Sequence, residues 1–94
     1  MPTFAVLYDY TDDTEGRDQH RAAHREYLAT LVDSRELIAS GPTFEGERAG
    51  ALLIMDVPSA ERAAELLDAD PFQLEGLVGS RRILEYSVVL GSLR

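Results

Sequence analysis

Hydrophobic positions change their spacing along the chain, and each change marks an element. Thr3 to Tyr10 is rich in β-branched and aromatic residues and predicts a strand, with Phe4, Val6 and Tyr8 on one face and Ala5 and Leu7 on the other. Both faces of that strand are largely apolar. Thr11 to Gly16 reads as an acidic turn, whose charge suits the N-terminal end of a following helix. Its Asp12, Asp13 and Glu15 lack the spacing of a calcium loop. From Arg17 to Ser34 the apolar period lengthens to that of a helix, and Ala23, Tyr27, Leu28, Leu31 and Val32 form its expected core stripe. Glu36 to Ser40 predicts a short strand, which Ser40-Gly41-Pro42 should break. The polar run from Thr43 to Gly50 then predicts a hairpin loop of some length. Ala51 to Val57 is almost continuously apolar, as in a central strand covered on both faces.

Pro58 suits the opening of a second helix, and Ala60, Ala63, Ala64 and Leu67 give it an apolar face up to about Asp68. A short helical turn follows, with Asp70 as N-cap, Pro71 as its first residue and Gln73 as a capping-box-like partner. Gly76 and Gly79 should end it. Arg82 to Leu90 predicts the last strand, with Leu84, Tyr86, Val88 and Leu90 on one face. The order β-α-β-β-α-β is that of a ferredoxin-like α+β fold, a four-stranded antiparallel sheet with its helices on one face, in one domain over residues 1–94. Three strands carry apolar residues on both faces, yet the helices cover only one. The uncovered face would be a large apolar patch, so a homodimer packing sheet against sheet is expected. Small-molecule pockets would then lie between sheet and helices or near the dimer seam.

Charge narrows the partners. Nine basic against 17 acidic residues leave a net charge of −8, which argues against nucleic acid and against an anionic membrane surface. All nine basic residues are arginine, a bias that composition alone explains. The absence of cysteine excludes disulfides, thiolate catalysis and Cys-ligated metal. The opening MPTFAVLYDY has neither a basic region nor a long apolar run, and no stretch approaches the ~18 apolar residues that span a bilayer. A soluble cytoplasmic protein is therefore expected.

Chemistry near neutral pH points first to histidine, and the two histidines, His20 and His24, both lie on the first helix. His24 stands at the upstream end of the core stripe. There it is either an ordinary edge-of-core residue or a general acid/base facing a pocket. His20 and His24 share a helix face at i, i+4, but no third ligand or HExxH-type glutamate accompanies them, so no metal is expected. Asp70 is accounted for as a helix cap. The same N–H groups favour its charged form, which could orient an imidazole on the same side of the sheet. Ser40, Gly41 and Pro42 end a strand in the simplest reading; Gly41 would also let backbone approach a ligand closely. Tyr8, Tyr10, Tyr27 and Tyr86 either pack in the core or line a pocket. A Ser40-His24-Asp70 triad lacks a nucleophile-elbow motif.

His24 with Tyr27, Leu28 and Leu31, then Ser40-Gly41-Pro42, a Gly-preceded apolar strand, and an alanine-rich helix running into Asp70-Pro71-Phe72 together resemble the YCII-related (YciI-like) family. The resemblance covers nearly the whole chain. It implies a dimeric α+β barrel akin to muconolactone isomerases, with an active site made by a histidine on the first helix and an aspartate in an Asp-Pro motif, positions held here by His24 and Asp70. It also implies chemistry of the kind seen in one branch, which removes chloride from chlorinated hydroxyquinols. The corresponding expectation is a cofactor-independent enzyme acting on a small cyclic or aromatic substrate, with Ser40, Gly41, Pro42 and Tyr8 as substrate-binding residues. The alternative is a non-catalytic dimer that binds a small ligand or assists a partner. Family members often carry glycine at the end of the first helix, where this chain reads Ser34-Arg35.

Overall fold

The computed structural model describes residues 2–93. Its elements are β1 (Thr3–Tyr10), α1 (Thr14–Asp33), β2 (Leu37–Glu45), β3 (Arg48–Asp56), α2 (Ala60–Asp68), α3 (Pro71–Leu74) and β4 (Val78–Tyr86). The strands form one antiparallel sheet in the order β2-β3-β1-β4, the ferredoxin-like α+β arrangement. Phe4, Val6 and Tyr8 of β1 and Ala51, Leu53 and Met55 of β3 point to the helices and pack with Leu28, Leu31, Ala63, Leu67 and Phe72. The alternation read from β1 is therefore the one that sorts core from open face. No helix among the described residues is long and apolar enough to cross a membrane.

Several boundaries differ from the sequence reading, each for a local reason. Helix α1 begins at Thr14, not Arg17, because the Asp13 side chain caps it by accepting from the Gly16 N–H at 2.8 Å. Gly16, the expected end of the acidic turn, lies inside the helix. A Cβ at that position would stand 2.5 Å from the Asp13 carboxylate and 2.7 Å from Leu77, so the cap and the packing both require glycine. The buried row of α1 is Arg17, His24, Leu28 and Leu31, whereas Ala23 and Val32, expected in the core, are exposed. At its other end Arg35 adopts φ 68°, with Glu36 N–H donating to Leu31 O and Arg35 N–H to Val32 O. This is a Schellman cap with arginine in the left-handed position that glycine usually fills.

Ser40-Gly41-Pro42 does not break β2; all three residues lie inside it. Strand β2 is at the sheet edge, where a proline can sit without costing a ladder bond. The long loop expected over Thr43–Gly50 is instead a tight hairpin, with Glu45 paired to Arg48 across Gly46 and Glu47. Gly46 has φ 60°, and a glycine at the first central position of a two-residue turn lets both strands continue to the tip. Gly50 is needed inside β3, since a Cβ there would meet the Tyr8 carbonyl at 2.2 Å. Strand β4 runs four residues earlier than read, from Val78 through Gly79, which leaves Val88 and Leu90 beyond its end. Helix α2 starts after Pro58 with Ser59 as its cap.

Gln73 also departs from expectation. The Asp70 N–H is already bonded to Leu67 O, so Gln73 has no capping-box donor to accept from; its side-chain oxygen instead takes a hydrogen bond from Arg81.

Candidate functional site

Asp70 is the centre of the site. It lies between α2 and α3, fully buried, and opens α3 by accepting from the Phe72 N–H at 3.0 Å. Pro71 at the first helical position pre-sets the turn, so the local sequence Asp-Pro-Phe builds the cap. The same carboxylate faces two distant residues. Oδ1 lies 2.7 Å from His24 Nδ1, and Oδ2 accepts from the Tyr8 hydroxyl at 3.0 Å. Three elements thus meet on one buried carboxylate.

A carboxylate only accepts, so the proton of this hydrogen bond sits on Nδ1. In the neutral imidazole of that tautomer Nε2 is the proton acceptor, and no protein group among the described residues bonds it. The imidazole also stacks on the Phe72 ring, with centroids 3.9 Å apart and planes 3° from parallel. Phe72 in turn meets Tyr10 edge-on at 5.6 Å. One hydrogen bond and one stacked face hold the ring, and His24 lines an adjacent cleft of about 560 Å³.

The cleft lies between the middle of α1 and the β2–β3 end of the sheet. Ser40, Gly41 and Pro42 line it beside His24, because β2 continues unbroken across its wall. Leu28, Leu37, Leu53 and Phe72 supply an apolar floor. Tyr8, expected to bind substrate, is placed elsewhere: it is 2% exposed and stands against Asp70, outside the cleft lining. Burial first, then the neighbouring Asp70 carboxylate, push the Tyr8 pKa far above the usual tyrosine value, so Tyr8 stays a protonated donor. Tyr27 is also committed, donating to Leu66 O at 2.6 Å, whereas Tyr10 does line the cleft. Tyr86 lies on the open face of the sheet, opposite Thr3. His20 approaches Glu75 at 3.6 Å and takes no part in the cleft. Ser40 lines the cleft on the far sheet edge and makes no hydrogen bond to His24, so no triad is assembled.

Two features of the site are not evident from the sequence pattern. Phe72 counted there only as part of a motif, although an aromatic two residues past an Asp-Pro cap is well placed to cover whatever the aspartate holds. The second is a row of arginines, Arg17, Arg21 and Arg25, all lining the cleft. Their i, i+4, i+8 spacing was the available signal. Arg17 is buried, donates to Thr11 O, and places its guanidinium 4.9 Å from the centre of the Tyr10 ring.

Comparison with solved structures finds the same architecture. The 5-chloro-2-hydroxyhydroquinone dehydrochlorinase of Burkholderia phenoliruptrix, solved with 2,5-dihydroxybenzoquinone, superposes with a TM-score of 0.80 at 22% identity, over 90% of this chain and 93% of that one. The Arabidopsis thaliana protein At3g17210 matches with a TM-score of 0.54 at 14% identity, over 98% of this chain and 99% of that one. At these identities the likeness is one of fold. No curated protein sequence matches. The family model for the YCII-related domain matches residues 1–87, from β1 through the Asp-Pro turn to the end of β4, and on that match the chain belongs to the YCII-related family.

Proposed function

We propose that the protein is a small cofactor-independent enzyme in which His24 moves a proton and Asp70 orients and stabilises it. The observation that carries this reading is the 2.7 Å contact between His24 Nδ1 and the fully buried Asp70, beside an open cleft. Nε2 takes a proton from carbon or oxygen of a bound ring. The electron pair left behind either expels a group such as chloride or shifts to a neighbouring position, where the imidazolium returns the proton. Elimination and isomerisation are thus two outcomes of one device. Fold likeness to a dehydrochlorinase agrees with the first. The test is a panel of hydroxylated rings, with and without ring chlorine, assayed for chloride release and for exchange of ring protons with solvent deuterium. Catalysed, saturable release or exchange is expected. Ring compounds that bind in the cleft with neither would replace catalysis by ligand binding.

We further propose that the open face of the sheet is covered by a second copy of the chain. Ala5, Leu7, Leu52, Ile54 and Leu84 lie side by side there, and Leu52, Leu84 and Tyr86 remain substantially exposed in the single chain. A patch of that kind favours self-association. The protein is expected to sediment at twice its 10.4 kDa chain mass, and Leu52→Glu to convert it to monomer. A wild-type monomer, or a Leu52→Glu dimer, would remove the sheet-face interface.

A further inference from the structure

We propose that the cleft is selective for small organic anions, and that Arg21 and Arg25 bind the negative group. The chain carries almost twice as many acidic as basic residues, yet among the described residues the charged side chains lining the cleft are Arg17, Arg21, Arg25 and, when protonated, His24, with no carboxylate beside them. A net charge of −8 makes that segregation unexpected from composition. The three arginines stand four residues apart on α1, which stacks them in one row beside the row that carries His24 and Leu28.

They are not equivalent. Arg17 is committed to the Thr11 carbonyl and the Tyr10 ring, and it is buried. Arg21 is partly exposed and pairs with Asp18 on its own helix. Arg25 is exposed and forms no ion pair among the described residues. Arg21 and Arg25 thus present donor-rich guanidinium groups at the cleft mouth, on either side of His24 in sequence. A guanidinium fork matches a carboxylate, or the paired oxygens of an acidic enol, through two parallel hydrogen bonds. The floor of Leu28, Leu53 and Phe72 accepts the rest of the ligand as an apolar or aromatic body. The ligand class that satisfies both walls is a ring bearing one ionised oxygen group. In the orientation this sets, charge lies at the arginines and the ring extends toward Nε2.

The inference deepens the functional reading by naming a substrate class, but anion selectivity holds whether the ligand is turned over or only held. The probes are benzoate, its neutral counterpart benzamide, and 2,5-dihydroxybenzoquinone, a vinylogous acid. Affinities are read by calorimetry and by side-chain NMR of the arginines and His24, at low and at high salt. Both acids should bind at least about tenfold tighter than benzamide, as expected for charge-assisted hydrogen bonds. The Arg21→Gln/Arg25→Gln double variant should lose that preference while keeping its benzamide affinity and its melting temperature to within a few degrees. Added salt should weaken the acids alone, because both groups are partly exposed. Equal binding of acid and amide, unchanged acid binding in the double variant, or no binding of either acid would overturn the proposal. Anion selectivity without turnover of any ring would leave it standing and overturn the catalytic reading instead.

Discussion

Replacing His24 with glutamine is expected to lower kcat by roughly 10²–10⁴, the usual contribution of a positioned acid/base, with little change in KM. Glutamine is the informative substitution. Its amide can still donate to Asp70 Oδ1, and its planar end can still lie on Phe72, so the contacts that hold the imidazole are largely kept. What it cannot do is accept a proton at the position of Nε2. The fold should therefore survive, at a cost of about 1 kcal/mol for one weakened hydrogen bond. Steady-state kinetics on any substrate found in the ring panel, together with a thermal melt, separate the two effects. Turnover within about tenfold of wild type would assign the proton transfer to another group.

Asp70→Ala is expected to damage the fold itself. The carboxylate accepts from His24, from the Tyr8 hydroxyl and from the Phe72 N–H, and it is fully buried. Alanine leaves two of those donors, Tyr8 and the Phe72 N–H, buried without a partner, and removes the cap of α3. At about 1–3 kcal/mol for each unsatisfied buried group, the loss is about 3–5 kcal/mol. For a domain of this size that lowers Tm by on the order of 20 °C. Asp70→Asn separates structure from chemistry. Its carbonyl oxygen can accept from both His24 and Phe72, as Oδ1 does now, while its amide faces the Tyr8 oxygen. It should melt within a few degrees of wild type. Without the negative charge behind the imidazolium, however, kcat should fall about 10²-fold or more. An Asn variant as active as wild type would make Asp70 a cap and nothing else.

The parts of the site that were legible in the sequence are those whose signals are local. Asp70-Pro71 is a helix-opening pair wherever it occurs, and the structure shows it opening α3. Phe4, Val6 and Tyr8 alternate, so their common face was readable, and all three are buried beneath the helices. Errors arose where a residue's local preference was overruled by its place in the sheet or helix. Pro42 breaks a central strand but not an edge strand, and a residue's position in the sheet order is not a local property. Gly16 reads as the end of an acidic turn, yet it lies inside α1, where the Asp13 cap and Leu77 leave no room for a Cβ. A tyrosine such as Tyr8 can line a pocket, although in a small core it more often packs. Only its meeting with Asp70, 62 residues away, distinguishes the two.

By itself, the sequence of this protein determined the order of its elements, the core face of β1, the Asp70 cap and, through motif order, its family. These follow from backbone and side-chain preferences acting over a few residues. The motif order points to His24 and Asp70 as a pair; the tertiary structure alone decided that Tyr8 and Phe72 join them. It also decided that Arg17, Arg21 and Arg25 line one cleft, because the rotation of α1 about its axis is set by which row packs against the sheet. The apolar spacing predicts a stripe of Ala23, Tyr27, Leu28, Leu31 and Val32 facing the core. Packing kept Leu28 and Leu31 inward as expected but added Arg17 and His24 in place of Ala23 and Val32, and with them the row of arginines that lines the cleft.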